Sequence, residues 1–142
     1  MKINNGVCKK YYNNGNLFFK GEYLNGNRNG TGKEYYVDGK LFFDGEYING
    51  NRWNGIGYKN NGLEEFEIIN GRGFGIEYND YNGELQYKGE YIYGQRNGKG
   101  KEYNDYNGEL YFEGEYINGE RNGKGKEYHD NVKLLFEGEY IN

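Results

Sequence analysis

The tripeptide Gly-Glu-Tyr recurs along the chain and shows that the sequence is built from tandem repeats. It begins at five positions separated by steps of 24, 44, 25 and 24 residues: Gly21, Gly45, Gly89, Gly114 and Gly138. The long step contains a degenerate copy, in which Phe66, Glu67 and Ile68 take the three positions. Units this short cannot each bury a core, and they become stable by stacking on their neighbours. Six such units therefore restrict the fold to an elongated array.

The clearest unit, from Glu109 to Tyr128, has the alternation of a β-hairpin. Its first half predicts a strand with Leu110, Phe112, Gly114 and Tyr116 on one face and Tyr111, Glu113, Glu115 and Ile117 on the other. A turn at Asn118 and Gly119 leads to a returning strand from Gly123 to Tyr128. One unit is thus one hairpin.

Asn-Gly or Asp-Gly pairs connect the units, and such pairs are a strong hairpin signal. They are Asn14-Gly15, Asp38-Gly39, Asn61-Gly62, Asn82-Gly83 and Asn107-Gly108. We predict an all-β fold: an elongated, curled, single antiparallel β-meander of about twelve short strands, with no helix longer than about one turn. The array covers residues 1–142 as one domain, with half-units at 1–12 and 134–142 and units at about 16–36, 40–59, 63–78, 85–103 and 110–128.

The composition favours rings rather than aliphatic side chains as the core. Hydrophobic residues are 35% of the chain and aromatic residues 19%, with 26 Gly and no Pro. The net charge of −4 argues against a nucleic-acid surface and against simple capture by anionic lipid. No apolar run approaches the roughly 18 residues that a membrane span requires. We therefore expect a soluble, cytoplasmic protein, and the single cysteine, Cys8, fits a reducing compartment.

The residues resemble the MORN repeat family, whose pattern is aromatic-x-Gly-x-aromatic-x-x-Gly followed by Gly-x-Gly. Three segments match it in phase: Phe19, Gly21, Tyr23, Gly26, Gly30 and Gly32; Tyr87, Gly89, Tyr91, Gly94, Gly98 and Gly100; Phe112, Gly114, Tyr116, Gly119, Gly123 and Gly125. The chain departs from the pattern by an insertion around Trp53 and by the degenerate unit from Phe66 to Gly75. One extra residue in the returning strand predicts a β-bulge near Lys101-Glu102 and Lys126-Glu127. The resemblance implies a scaffold or adaptor, often at contacts between membrane and cytoskeleton.

Catalytic chemistry finds no support in the residue types. The chain has no Ser, one Thr, one Cys and one His, so no pair of nucleophile and base can be assembled, and we predict no enzyme activity. Glutamates that recur once per unit lie two strands apart, about 9 to 10 Å, which is too far for a pair of catalytic carboxylates. Glu113 and Glu115 are expected to form ion pairs with Lys124 and Lys126 instead. We predict no cofactor and no metal site.

Two sets of residues are candidates for binding. Arginines after the turns could form a row along one edge of the sheet that meets phosphate or carboxylate groups: Arg28, Arg52, Arg72, Arg96 and Arg121. The alternative is that they bind turn carbonyls and neighbouring acidic residues. An aromatic groove could accept a helix or extended peptide through Tyr23, Tyr47, Trp53, Tyr91 and Tyr116, unless these rings form the core.

The sequence thus predicts a non-catalytic scaffold for a protein partner, and the alternative is a phosphoinositide-binding membrane module. The two ends add the possibility of self-association, because Gly6 to Tyr12 is typical of a returning strand and Leu134 to Asn142 of an outgoing strand without its partner. A head-to-tail contact would complete the hairpin. The alternatives are that a longer protein was trimmed here or that the edges are solvated.

Overall fold

Residues 4–141 are described by a computed structural model, in which twelve strands form one antiparallel sheet whose order follows the sequence. This confirms the predicted all-β meander. The strands are β1 (Gly6–Tyr11), β2 (Leu17–Leu24), β3 (Asn27–Tyr35), β4 (Leu41–Ile48), β5 (Asn51–Tyr58), β6 (Glu64–Ile69), β7 (Arg72–Tyr78), β8 (Leu85–Ile92), β9 (Gln95–Tyr103), β10 (Leu110–Ile117), β11 (Glu120–His129) and β12 (Lys133–Tyr140). A 3-10 turn, Asp130–Val132, precedes β12. The predicted half-units include residues 1–3 and Asn142, which lie outside the described residues.

The tightest turns lie inside the units rather than between them. Asn118 and Gly119 both have positive φ, 51° and 88°, the backbone of a type I′ turn that matches the twist of two paired strands. Equivalent residue pairs join the other hairpins, and Tyr93 stands in the place of the usual asparagine, with a φ of 53°. The predicted pairs between units also connect antiparallel strands, but there only the glycine has a positive φ.

Glycine columns allow the rings to lie flat against the sheet. Gly114 of β10 faces Gly125 of β11 in the strand register, and the ring of Phe112 lies across both. A Cβ atom added at Gly114 would come within 2.6 Å of the Lys124 carbonyl oxygen and 2.8 Å of the Phe112 ring. The absence of side chains in this column therefore makes room for the aromatic core.

The core consists of two ring clusters on one face of the sheet, which we call the ring face. The first includes Phe19, Phe43 and Tyr47 with Phe66 and Ile68, and the second comprises Tyr87, Tyr91, Phe112 and Tyr116. Successive rings meet edge to face, with centroids 5.4 Å apart between Phe19 and Tyr47 and between Tyr87 and Tyr116. As predicted, neighbouring units bury their aromatic residues against each other.

Strand pairing is shortest at the degenerate unit. There β6 and β7 share only two register pairs, Ile68 with Gly73 and Ile69 with Arg72. The curl carries the ring of Tyr78 to 4.9 Å from that of Phe42, and Asn13 donates its backbone N–H to the Tyr81 carbonyl at 2.9 Å. The first half of the sheet therefore wraps around the first cluster.

The predicted β-bulge position was wrong. Between β9 and β10 the extra residue is Tyr111 on the outgoing strand, because Leu110 pairs with Tyr103 and Phe112 with Glu102. The stretch from Lys101 to Glu102 stays regular, and between β11 and β12 the extra residue is likewise on the outgoing strand, at Leu135, rather than at Lys126-Glu127. Glu102 thus keeps the phase of Gly100 and points to the ring face.

Candidate functional site

Four of the predicted arginines form a row over the ring face instead of along an edge of the sheet. Each guanidinium carbon lies above the first ring of its own unit: Arg28 at 4.0 Å from Phe19, Arg52 at 4.8 Å from Phe43, Arg96 at 4.2 Å from Tyr87 and Arg121 at 3.8 Å from Phe112. Such stacking is favourable because a planar cation meets the negative face of the ring. We call these four residues the arginine row. Arg72 is displaced by one position and is exposed.

A glutamate from the preceding unit binds each of the last three members of the row. Glu34 accepts hydrogen bonds from Arg52 Nε at 2.7 Å, Arg52 Nη2 at 2.8 Å and the Tyr47 hydroxyl at 2.6 Å. Glu102 binds Tyr116 and Arg121 in the same way, and Glu77 binds Tyr91 and Arg96. The arginines therefore have the acidic neighbours that were the alternative to anion binding.

Burial and charge oppose each other at Glu34. Burial raises the pKa of its carboxyl, but Arg52, Arg28 and the hydrogen bonds to it outweigh burial and lower that pKa to about 2. Burial also raises the pKa of the Tyr47 hydroxyl well above its ordinary value, and the Glu34 charge adds to this effect. The network is therefore a carboxylate, a guanidinium and a neutral phenol, which is a structural arrangement without a free reactive group.

The four tyrosines predicted to line a partner groove are core residues. Tyr47 and Tyr116 are 2% exposed, and Tyr23 and Tyr91 are also buried. Trp53 is partly buried at the turn Asn70–Gly71, where Gly71 donates its N–H to the Trp53 carbonyl at 2.7 Å. These tyrosines therefore form part of the core, which was the alternative to a partner groove. The arginine row and its glutamates cover their rings.

Several of the predicted residues do meet at one cavity inside the curl, of about 420 Å³. Arg28, Arg52, Tyr47 and Tyr91 line it together with three carboxylates: Glu34, Glu77 and Asp80. Because its lining has more carboxylates than guanidinium groups, this inner cavity is a poor site for a phosphate.

The larger concave surface lies on the opposite face of the sheet, across β7 to β12. It is an open groove of about 970 Å³, which we call the outer groove, and Phe74 lies at its β7 end. Two rows of charged side chains flank the glycine column along it: Lys88, Lys101, Glu113, Lys126 and Glu137 in one, and Glu90, Lys99, Glu115, Lys124 and Glu139 in the other. From β9 onward the sign alternates from strand to strand, so the groove carries as many acidic as basic groups.

The expected ion pairs of Glu113 and Glu115 with Lys124 and Lys126 are absent from the interactions of the described residues. Glu115 instead accepts the backbone N–H of Lys124 at 2.9 Å, and Glu113 accepts the Tyr128 hydroxyl at 2.5 Å. Glu22 and Glu90 bind the N–H groups of Thr31 and Lys99 in the way that Glu115 does. The glutamate of Gly-Glu-Tyr therefore holds the irregular backbone that follows a glycine with positive φ.

A row of aliphatic side chains, all exposed except the partly buried Ile92, extends from the strands of the outer groove back to β2. Each is the residue after Gly-Glu-Tyr or its degenerate copy: Leu24, Ile48, Ile69, Ile92, Ile117 and Ile141. Ile117 is 50% exposed and Ile69 56% exposed. They alternate with the ring-face residues, so they share the face of the charged rows. We call them the aliphatic row.

A comparison with models of protein families identifies the repeat. The model of the MORN repeat matches residues 19–40, 87–108 and 112–131, three separate hairpins of the array. The chain contains MORN repeats. No curated protein matches it. MORN repeats generally mediate interactions with proteins or membranes, and none of the three matched segments covers the degenerate unit, where the sheet curls.

The MORN pattern explains which residues sequence reasoning found and which it missed. Its glycines and core aromatic residues were assigned to the correct face, but Tyr111 was assigned to the outer face and instead donates its hydroxyl to Glu102 on the ring face. The aliphatic row was visible as a once-per-unit recurrence after Gly-Glu-Tyr, and Ile117 was placed on the outer face, but this recurrence was not treated as a surface. In the described chain no group of three or more His, Cys, Asp or Glu side chains is placed to hold a metal ion. None of its helices is long and apolar enough to cross a membrane.

Proposed function

We propose that this protein is a non-catalytic scaffold that holds a helical segment of a protein partner in the outer groove. The observation that supports this proposal is the difference between the two faces of the sheet. On the ring face the aromatic and arginine side chains contact one another and their neighbouring glutamates. The opposite face presents an open concave surface with exposed apolar and charged groups. Exposed apolar side chains beside a groove are typical of an interaction surface.

The spacing of the aliphatic row favours a helix over an extended peptide. Its members lie two strands apart, about 9 to 10 Å. Residues i and i+7 of an α-helix lie on the same face and about 10.5 Å apart. A partner helix with an apolar residue at every seventh position would place one such residue near each member of the row. Polar residues on its flank would then meet the charged rows.

The lipid alternative has less support from the same surface. The ten charged groups that line the outer groove are five lysines and five glutamates, so the groove has no net positive charge. Binding of a phosphoinositide or an anionic membrane depends on clustered basic residues. A protein helix with charges of both signs fits this surface better than an anionic headgroup.

Site-specific photocrosslinking tests the proposal in cells. A benzophenone amino acid is placed at Lys101 or at Ile117, both on the proposed surface, and at Tyr106, which is 94% exposed in the turn between β9 and β10. We expect both groove positions to link the same partner and Tyr106 not to link it. With that partner purified, Ile117→Asp should weaken binding about tenfold, whereas Tyr106→Asp should have no effect.

Two results would contradict the proposal. One is an adduct that forms at Tyr106 and at neither groove position. The other is sedimentation of the purified protein with vesicles that contain anionic lipid, but not with neutral vesicles, at physiological salt. That second result, if Lys101→Glu abolished it, would assign the outer groove to a membrane.

A further inference from the structure

The charged rows of the outer groove balance in number but not in position. Most of the lysines that line it lie opposite a glutamate on a neighbouring strand, as Lys126 lies opposite Glu137. Lys88 of β8 is different, because it lies opposite Ile76 of β7 on one side and Lys101 of β9 on the other. Like charges directly opposite each other on paired strands repel. The β8–β9 end of the groove therefore holds two cations side by side.

The carboxylates nearest to this lysine pair in the strand register are already engaged. Glu113 of β10 lies opposite Lys101, but it accepts the Tyr128 hydroxyl at 2.5 Å. Glu90, two residues from Lys88 on the same face, accepts a backbone N–H of β9. Within residues 4–141 neither lysine of the pair forms an ion pair. The repulsion between them is therefore not relieved by the described part of the chain.

The first half of the sheet contains an equivalent pair in which one lysine has an acidic partner. Lys20 of β2 lies opposite Lys33 of β3, as Lys88 lies opposite Lys101. There the residue on the next strand, Asp44, pairs with Lys33 at 3.8 Å. This first-half pair does not line the outer groove. It is therefore a matched reference for the pair in the groove.

An exposed ring lies beside the lysine pair of the groove. Phe74 of β7 lies opposite Glu90, so it is the diagonal neighbour of Lys88 on the same face, and such neighbours are about 7 to 8 Å apart. Phe74 is 46% exposed and lines the same end of the groove. On an α-helix, side chains three or four residues apart are neighbours on one face. One face of a partner helix can thus bring an apolar and an anionic side chain to this ring and this lysine pair together.

We propose that this end of the outer groove selects its partner helix through a carboxylate that lies between Lys88 and Lys101, three or four residues from an apolar side chain that packs on Phe74. This assignment rests on the scaffold function proposed above and adds the chemistry of the partner at one place. A carboxylate relieves the repulsion between the two lysines, whereas another cation adds to it. The pair therefore favours an acidic helix and rejects a basic one.

Two synthetic helical peptides test the proposal with the intact chain. Each has leucine at every seventh position. They differ at one position, three residues after the first leucine, where one has glutamate and the other has glutamine of nearly the same shape. Fluorescence anisotropy at physiological salt measures both affinities. We expect the glutamate peptide to bind about fivefold more tightly, which is the upper range for an exposed ion pair.

Two double variants of the protein locate this preference. Lys88→Gln combined with Lys101→Gln should remove it, and this variant is expected to fold because it loses a repulsion rather than a contact. Lys20→Gln combined with Lys33→Gln, at the matched pair outside the groove, should leave the preference unchanged. Phe74→Ala should weaken both peptides about fivefold without altering their ratio. Circular dichroism checks that each variant is folded.

Equal affinities of the two peptides for the parent protein would overturn the proposal, and so would a preference that survives in the variant of Lys88 and Lys101. If Ile117→Asp still weakened both peptides in that case, the outer groove would remain the helix site. Absence of saturable binding by either peptide would contradict the helix groove as well. Sedimentation with anionic but not neutral vesicles, lost in the same double variant, would assign the lysine pair to a membrane and also overturn the proposal.

Discussion

Gly114 illustrates how closely a single residue is determined by its neighbours. A side chain at this position would meet the backbone of β11 and the Phe112 ring at the same time, and neither can move away without opening the hairpin. We expect Gly114→Val to lower the free energy of unfolding by about 1 to 3 kcal/mol. Thermal or denaturant unfolding of the purified variant measures this loss.

The neighbouring Glu115→Gln is a matched control, since the side chain points to the opposite face and keeps an oxygen that can accept the Lys124 N–H. We expect it to change the free energy of unfolding by no more than about 0.5 kcal/mol. If both variants melted at the same temperature, the assignment of the two faces would be incorrect.

At this scale the alternation of the sequence was sufficient to assign the faces from Phe112 to Ile117, because a period of two permits only two choices, but it failed at Leu110 and Tyr111, where the bulge shifts the phase. The role of Glu102 was missed for a specific reason. The extra residue was assigned to the returning strand, beside Glu102. In the structure it is Tyr111, on the outgoing strand that pairs with it. Register depends on both strands, so a pattern on one strand could not locate it.

Within a hairpin, an arginine of the row stabilises the fold through contacts that the exposed Arg72 does not make. Arg52 donates to Glu34 and to the Ile76 carbonyl and stacks on Phe43, and its removal would leave the buried Glu34 carboxylate with Arg28, at 3.7 Å, as its remaining cation. We expect Arg52→Met to cost about 3 to 5 kcal/mol. Denaturant titration against Arg72→Met, a change at an exposed position outside the row, provides the comparison.

Arg72→Met should lie within about 0.5 kcal/mol of the parent protein. Similar losses for the two variants would show that the position of the arginine in the row is unimportant. The sequence revealed the recurrence of these arginines but not their place, because a long side chain can reach an edge or fold back over a ring. Only the register shows that each returns to its own unit.

The network around Glu34 also predicts a dependence of stability on pH. Its carboxyl has a pKa of about 2 in the folded protein, below the ordinary value of 4.5, so folding favours the ionised form. Its stabilisation is complete above the unfolded pKa and is lost as the pH falls from about 4.5 toward 2, by an amount on the order of 2 to 3 kcal/mol. Denaturant titrations at pH 7, 4 and 3 should show the parent approaching Glu34→Gln. A constant difference between the two proteins over this range would contradict the prediction.

Over the whole molecule, the degenerate unit separates two differently shaped halves. It lacks all three members of the network of glutamate, tyrosine and arginine. In the strand register Gly57 stands in the place of the glutamate, Ile68 in that of the tyrosine and Gly73 in that of the arginine. The first half closes on itself around the first ring cluster, whereas the second half remains an open sheet with the outer groove. The repeat period predicted a curled meander, but the place and sharpness of the curl depend on contacts such as Tyr78 with Phe42 that join distant units.

The division into two clusters predicts that the halves lose structure separately. Phe112 belongs to the cluster of β8 to β12 and contacts Tyr116 and Tyr140, while Phe43 belongs to the cluster of the first half. In a repeat array, stability is close to a sum of unit terms and contacts between neighbours, so a local loss spreads only as far as the coupling allows. Phe112→Ala should lower the free energy of unfolding by about 3 to 5 kcal/mol and reduce amide exchange protection in β8 to β12, while β2 to β5 keep theirs.

Phe43→Ala is the matched change, at an equally buried ring, and should give the opposite distribution of protection. Equal loss of protection in both halves for either variant would show that the sheet unfolds as one cooperative unit and that the β7–β8 pairing couples the clusters fully.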